Sequence, residues 1–332
     1  MRQVDMAGCF YGTPAHTSRR KTAFLLLGGI MQKPYKTISE QVCLLSSRGV
    51  EIDMDAESIL MRNGYYPIVN GYKDPFLDRD AMQSAGDDRY KPGTKFSDLY
   101  SLFEFDRDLR EKTFHYLIRA ESVTRTACSY VFSEAHQEPN SYLVQDNFAS
   151  TEEYAGYGLK NYIYNMHTLH DELFKKATKS RNESIIHYRE NYRDIPLWIL
   201  ASDLTFGNIE HFFKLMKPRE QSEVCKCISR AVGKLGGKEG FFDANEARKG
   251  LDVLVKTRNL CAHDERLYCA KIGGRRNADY IQFLLYLRRY LTDEEYAELV
   301  KFIAESVGSH SRGSDVVAHI LDRMGFGRLP VA

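Results

Sequence analysis

The chain is 332 residues long, with 43% apolar and 27% charged side chains. That balance excludes a disordered chain, which would lack the apolar surface needed to offset its entropy, and the length suits one large domain or a core with a smaller appendage. Net charge is +1, from 46 basic and 45 acidic residues, so global charge provides no pull toward nucleic acid or an anionic membrane.

The longest clean apolar run, Ala23 to Leu27, is far too short to cross a bilayer. Arg19-Arg20-Lys21 ahead of it imitates a secretory signal, yet no small-residue cleavage pattern follows, and the expectation is a cytoplasmic protein. Thr37-Ile38-Ser39-Glu40 reads as a capping box opening a helix to about Arg48, stopped by Gly49. Asp55 starts a second short helix ending near Gly64, and the pair is compatible with a helix-turn-helix. Residues 78–95, rich in Asp and Gly, read as a loop and module boundary.

From Ser97 to about Phe132 apolar side chains recur at spacings near three and four, which predicts one long helix. Glu134 to Phe148 reads as loose. Ser150-Thr151-Glu152-Glu153 is a second capping box, predicting a helix to about Lys179, and a shorter helix follows over Glu183 to Tyr192. Pro196 suits the first turn of a helix carrying Leu197, Trp198, Leu200 and Leu204, interrupted by Gly207. Further helices are expected over 219–235, from Asp243 to the region of His263, over 280–291, from Thr292 to about Ser306, and over 314–324. No strand set stands out, so the fold class is mostly α.

Seven cysteines, an odd number with no CxxC pair, point to reduced thiols, and Cys225-x-Cys227 is too tight for a zinc knuckle. His167, His170 and Asp171 have permissive spacing, but no ligand set converges in sequence, so neither metal nor cofactor is expected. Local basic clusters lie at Lys175/Lys176/Lys179/Arg181, Lys214/Lys217/Arg219, Arg275/Arg276 and Arg288/Arg289. Solvated helix faces account for them more simply than RNA contacts do. Tyr65, Tyr66 and Tyr72 read as packing residues rather than base-stacking ones.

One constellation carries chemistry. Arg258-Asn259-Leu260-Cys261-Ala262-His263 closes the helix that begins near Asp243. Asn259 and His263 share a helix face, so the amide is placed to orient the imidazole. Arg258 and His263 stand five apart, about 140° around an ideal helix. One straight helix does not aim both at one atom. Either the helix distorts at its end, or two copies of the motif complete one pocket. Arg offers a planar, permanently charged fork for phosphate oxygens, and His passes a proton near neutral pH. On RNA the 2′-hydroxyl supplies the nucleophile. The plainer alternative is a buried Arg tied to a carboxylate, with His263 as a helix-end cation.

Extended to Thr257-Arg258-Asn259-Leu260-Cys261-Ala262-His263-Asp264-Glu265-Arg266-Leu267-Tyr268, the segment resembles the signature of the Abi-like (abortive infection) family, placed in the HEPN superfamily. Three other stretches resemble that family in order: Lys33 to Tyr72, with Arg48-Gly49 and Gly64-Tyr65-Tyr66; Phe105-Asp106-Arg107-Asp108-Leu109-Arg110 with Glu121; and Ile195-Pro196-Leu197-Trp198 with Thr205-Phe206-Gly207. The resemblance covers roughly residues 33–270. It implies a HEPN-type helical bundle with a small N-terminal helical module, used as a metal-independent endoribonuclease in phage defence. It also implies a homodimer with a composite site, RNA as substrate, and a small structured non-coding RNA as a candidate partner. Arg258, Asn259 and His263 take the catalytic positions. Asp264 and Cys269 depart from the family pattern, and Asp264 stands where it could compete for Arg258.

The expected organisation is an N-terminal extension (1–32), a helical accessory module with its loop (33–95), a HEPN-like domain (96–270) and C-terminal helices packing on it (271–332). Two other readings stay open: a non-catalytic protein holding a structured RNA, and a DNA-reading helix-turn-helix regulator. The second is disfavoured by the acidic start Asp55-Ala56-Glu57 of the would-be reading helix.

Overall fold

A computed structural model describes residues 35–154, 158–192, 194–234, 242–272 and 278–329. The N-terminal extension, Cys9 and the Arg275/Arg276 pair lie outside them. Helix α1 (Ile38–Ser47) begins where Thr37 and Glu40 form the expected reciprocal capping box. Helix α2 (Ala56–Asn63) is capped by Asp55, and a π-helical turn follows over Tyr66–Asn70. Residues 78–95 are not wholly a loop. Asp78 accepts from the backbone N–H groups of Asp80 and Ala81 and opens helix α3 (Arg79–Ala85). The capping carboxylate outweighs a composition that reads as coil.

Helix α4 (Phe96–Ala135) is the axis of the molecule. Forty residues give it a length of about 60 Å. Its apolar stripe is fully buried at Phe96, Leu99, Leu102, Phe105, Leu109, Tyr116, Leu117, Ala120 and Phe132. Residues 134–148 are less loose than expected. Two 3-10 turns, Ser141–Leu143 and Gln145–Asn147, bring Tyr142 and Phe148 into the core.

Ser150 and Glu153 exchange their capping-box bonds, yet Thr151–Glu153 form only a turn. The described helix α5 is Gly158–Lys179, followed by α6 (Glu183–Asn191). The helix expected to be interrupted at Gly207 is two elements, α7 (Leu197–Leu200) and α8 (Phe206–Leu215). The break falls at Leu204–Thr205, where Thr205 and Asn208 build a capping box, and Gly207 sits inside the first turn of α8.

Helices α9 (Pro218–Ala231), α10 (Ala244–Ala262), α11 (Tyr280–Leu287), α12 (Asp293–His310) and α13 (Asp315–Arg323) complete the fold. Helix α4 packs against α7, α8, α9, α10, α12 and α13. Gly250 lets α10 approach α11 closely, since a Cβ there would stand 3.2 Å from the Tyr286 ring. Among the described residues β structure is limited to isolated bridges, so the mostly α class holds. No helix among them is long and apolar enough to cross a membrane.

Candidate active site

Helix α10 delivers the motif. Asp243 caps its start, and Leu251, Leu254 and Thr257 are buried against the bundle, which turns Arg258 and Asn259 toward its edge. Arg258 is one-third exposed. Its guanidinium lies over the Phe114 ring of α4, 5.7 Å from the centroid. The nearest carboxylate, Glu121, is 3.9 Å from Nε, and Glu121 is itself hydrogen-bonded to Arg125. Arg258 is therefore propped on an aromatic face and only loosely held by charge, so its fork can meet a phosphate.

His263 is the C-cap of α10 and is exposed. Its backbone N–H donates to the Asn259 carbonyl at 3.0 Å. With φ −99° and ψ 12° it has already left helical geometry. The regular helix thus ends at Ala262, one residue before the motif does. The expected bond from the Asn259 amide to the imidazole is not made among the described residues, and both residues are exposed.

The chain leaves α10 through a Schellman closure. Glu265 N–H reaches the Leu260 carbonyl at 3.0 Å, and Asp264 N–H reaches that of Cys261 at 3.4 Å. Asp264 occupies the left-handed position with φ 57°, where glycine is usual. Its carboxylate accepts from Arg110 Nη2 at 2.6 Å. Asp264 therefore does not compete for Arg258. Cys261 is half-buried, and burial pushes its thiol up to about 12, which removes it as a nucleophile near neutral pH.

Behind this turn lies a buried network of Tyr72, Asp106 and Arg110. Asp106 is completely buried. Its carboxylate accepts from the Tyr72 hydroxyl at 2.7 Å, from Arg110 Nη1 at 2.7 Å, from Leu267 N–H at 3.1 Å and from Tyr268 N–H at 2.7 Å. Burial pushes the Asp106 carboxyl up, while Arg110, Tyr72 and the two amides pull it back. Arg266 donates to the Gly71 carbonyl at 2.7 Å and stands 3.5 Å from Asp74. The Tyr72 and Tyr268 rings stack at 5.8 Å. Tyr72 is thus a packing residue, as expected. Arg107 bonds Asn63 at 2.7 Å and docks the end of α2 on α4.

The remaining candidates are spread over the surface. Lys175 pairs with Glu172 at 3.1 Å, Lys176 with Asp203 at 3.3 Å, Arg289 with Glu246 at 3.0 Å, and Lys214 with Glu210. These clusters carry local counter-charges, in keeping with solvated faces. His170 packs on Phe148, and burial lowers its proton affinity. Among the described residues no group of three His, Cys, Asp or Glu side chains is arranged to hold a metal ion. Two clefts, of about 410 Å³ beside Tyr286 and Arg289 and about 300 Å³ beside His136 and Trp198, lie away from Arg258 and His263.

A family model described as Abi-like protein matches residues 58–269, well over half of the chain. The chain belongs to the Abi-like protein family. The match runs from α2 through the turn after α10, so the Abi-like region includes Tyr72, Asp106, Arg110, Arg258, His263 and Asp264. Helices α11, α12 and α13 fall beyond it. Membership points to abortive infection, a phage-defence role. No curated protein and no solved structure matches the chain.

Proposed function

We propose that this Abi-like protein is a HEPN-type endoribonuclease that cleaves RNA during phage infection, with Arg258 and His263 as its catalytic pair and Asn259 beside them. The observation that carries the reading is the state of Arg258. It is accessible, propped on Phe114, and 3.9 Å from a carboxylate already engaged by Arg125. A purely structural arginine would be buried and tightly paired. His263 is exposed five residues further on, at the same helix end.

The chemistry follows from the residue types. His263 takes the proton from a ribose 2′-hydroxyl, and O2′ attacks the adjacent phosphorus. The bond from phosphorus to O5′ breaks, O5′ gains a proton, and the products are a 2′,3′-cyclic phosphate and a 5′-hydroxyl. Arg258 neutralises the charge that grows on the phosphate oxygens. The nucleophile is part of the substrate, so no metal-activated water is required.

The open position of the pair supports a homodimer. Neither of the two clefts encloses the motif, and a second copy would supply the missing wall. Ile118, one turn from Phe114 on α4, is half exposed and offers an apolar contact beside Arg258. A structured non-coding RNA is proposed as the regulator of this site.

The test is incubation of the purified protein with total RNA in EDTA, alongside Arg258→Ala and His263→Ala. The reading expects 5′-hydroxyl ends with the parent protein and a loss of about a hundredfold or more in each variant. Binding without cleavage would favour the RNA-holding alternative, and preference for duplex DNA would favour the regulator.

A further inference from the structure

We infer that Tyr72, Asp106 and Arg110 are positioning residues for His263, and that through them the docking of the N-terminal segment sets the geometry of the site. The inference rests on the Arg258/His263 reading above, and it extends that reading to residues from two other parts of the chain.

The turn carrying His263 has no apolar anchor of its own until Leu267. His263, Asp264 and Glu265 are exposed, and the peptide passes through a left-handed aspartate. Such a turn, left to itself, is free to fray. It is instead fastened at two points by one buried pair. Arg110 grips the Asp264 side chain at 2.6 Å, one residue after His263. Asp106 grips the Leu267 and Tyr268 amides at 3.1 and 2.7 Å. The same two side chains bond each other at 2.7 Å, so the two grips move as a unit.

Aspartate at the left-handed position has a reason under this scheme. Glycine would satisfy φ more cheaply but would give Arg110 nothing to hold. Arg110 is almost wholly buried, while the Asp264 side chain is three-quarters exposed, so the charge-assisted bond reaches outward from the core to the surface turn.

The pair is completed from the N-terminal segment. The Tyr72 hydroxyl donates to Asp106 at 2.7 Å and accepts from Arg110 at 3.0 Å. Tyr72 also stacks on Tyr268, while the neighbouring Gly71 carbonyl and Asp74 receive Arg266. Removing Tyr72 from this place would leave a buried carboxylate and guanidinium short of a partner and would loosen both grips on the turn. A ligand that shifts the N-terminal segment would thereby shift His263.

Two conservative variants test the idea. Tyr72→Phe removes one hydroxyl and keeps the ring. Asp264→Gly removes the grip and relaxes the backbone. Each is expected to lower kcat about tenfold or more with KM changed less than about twofold, because the substrate-facing arginine is untouched. The double variant should lose no more than the worse single one, as members of one unit do. In parallel, the His263 ring signals in a proton–carbon NMR spectrum should shift or broaden in both variants and stay fixed in Tyr66→Phe, whose ring is exposed and outside the network. Unchanged kcat with unmoved His263 signals would overturn the inference. A parent protein without cleavage activity would sink the nuclease reading alone, since the ring signals would still report whether the network reaches His263.

Discussion

At the scale of single residues the site depends on two unusual choices. Arg258 leans on an aromatic ring instead of locking onto a carboxylate, and Asp264 stands where glycine is the usual solution. The second choice has a measurable cost. Asp264→Ala keeps a Cβ in the left-handed region without the short polar side chain that makes aspartate tolerable there, whereas Asp264→Gly removes the strain. Urea denaturation should find the alanine variant less stable than the glycine variant by about 1 kcal/mol. Equal stability would mean that the backbone relaxes out of the left-handed conformation once the bond to Arg110 is gone.

At the scale of elements, the helices with strong local signals were legible in the sequence. The period of apolar residues gave α4 to within a few residues, and the Thr37, Asp243 and Thr292 caps marked the starts of α1, α10 and α12. Helix α3 was hidden because its aspartates and glycines imitate a loop, although Asp78 is itself the cap. Gly207 is the more conspicuous breaker in the sequence, but the Thr205–Asn208 box sets the break before α8. Arg258 and His263 stand out in the sequence by their spacing and company, and the fold places both at the C-terminal end of α10. The grip of Arg110 on Asp264 was not legible, because the partners stand 154 positions apart and only the packed fold brings them together.

Tertiary capping of α4 is of the same kind. The Asp53 carboxylate accepts from the Ser97 hydroxyl at 2.6 Å and from its backbone N–H at 3.0 Å, tying the N-terminal segment to the first turn of α4. Burial pushes the Asp53 carboxyl up, but these bonds outweigh it and hold it below the ordinary value of 3.8. The folded protein therefore binds this proton more weakly than the unfolded chain does. The stabilisation is present above about pH 4 and is lost as pH falls through the folded value. Asp53→Ala should cost about 1 kcal/mol at pH 7 by urea denaturation, and the difference from the parent should shrink on acidification below pH 4. A difference that persists unchanged at low pH would show that packing, not the carboxylate, is responsible.

At the scale of the whole molecule, α4 joins three regions: the N-terminal segment at its start, the motif helix α10 along its middle, and α12 along its far side, where Lys112 bonds Glu298 at 2.8 Å. The proposed catalytic pair sits on the open flank of that axis, and the proposal requires a second copy to close it. Specific activity should therefore rise with protein concentration until dimers saturate. Ile118→Glu should shift the molecule toward monomer in sedimentation and reduce cleavage in parallel. Full specific activity from a demonstrated monomer would remove the composite site.

The most direct measurement uses a synthetic RNA cleaved at one mapped linkage, compared with the same strand bearing a single 2′-deoxyribose at that position. The account predicts a 2′,3′-cyclic phosphate and a 5′-hydroxyl from the all-ribose strand, and no cut at the substituted linkage. Cleavage through the deoxyribose, or products ending in 3′-hydroxyl and 5′-phosphate, would contradict attack by the substrate's own hydroxyl, and with it the roles given to His263 and Arg258.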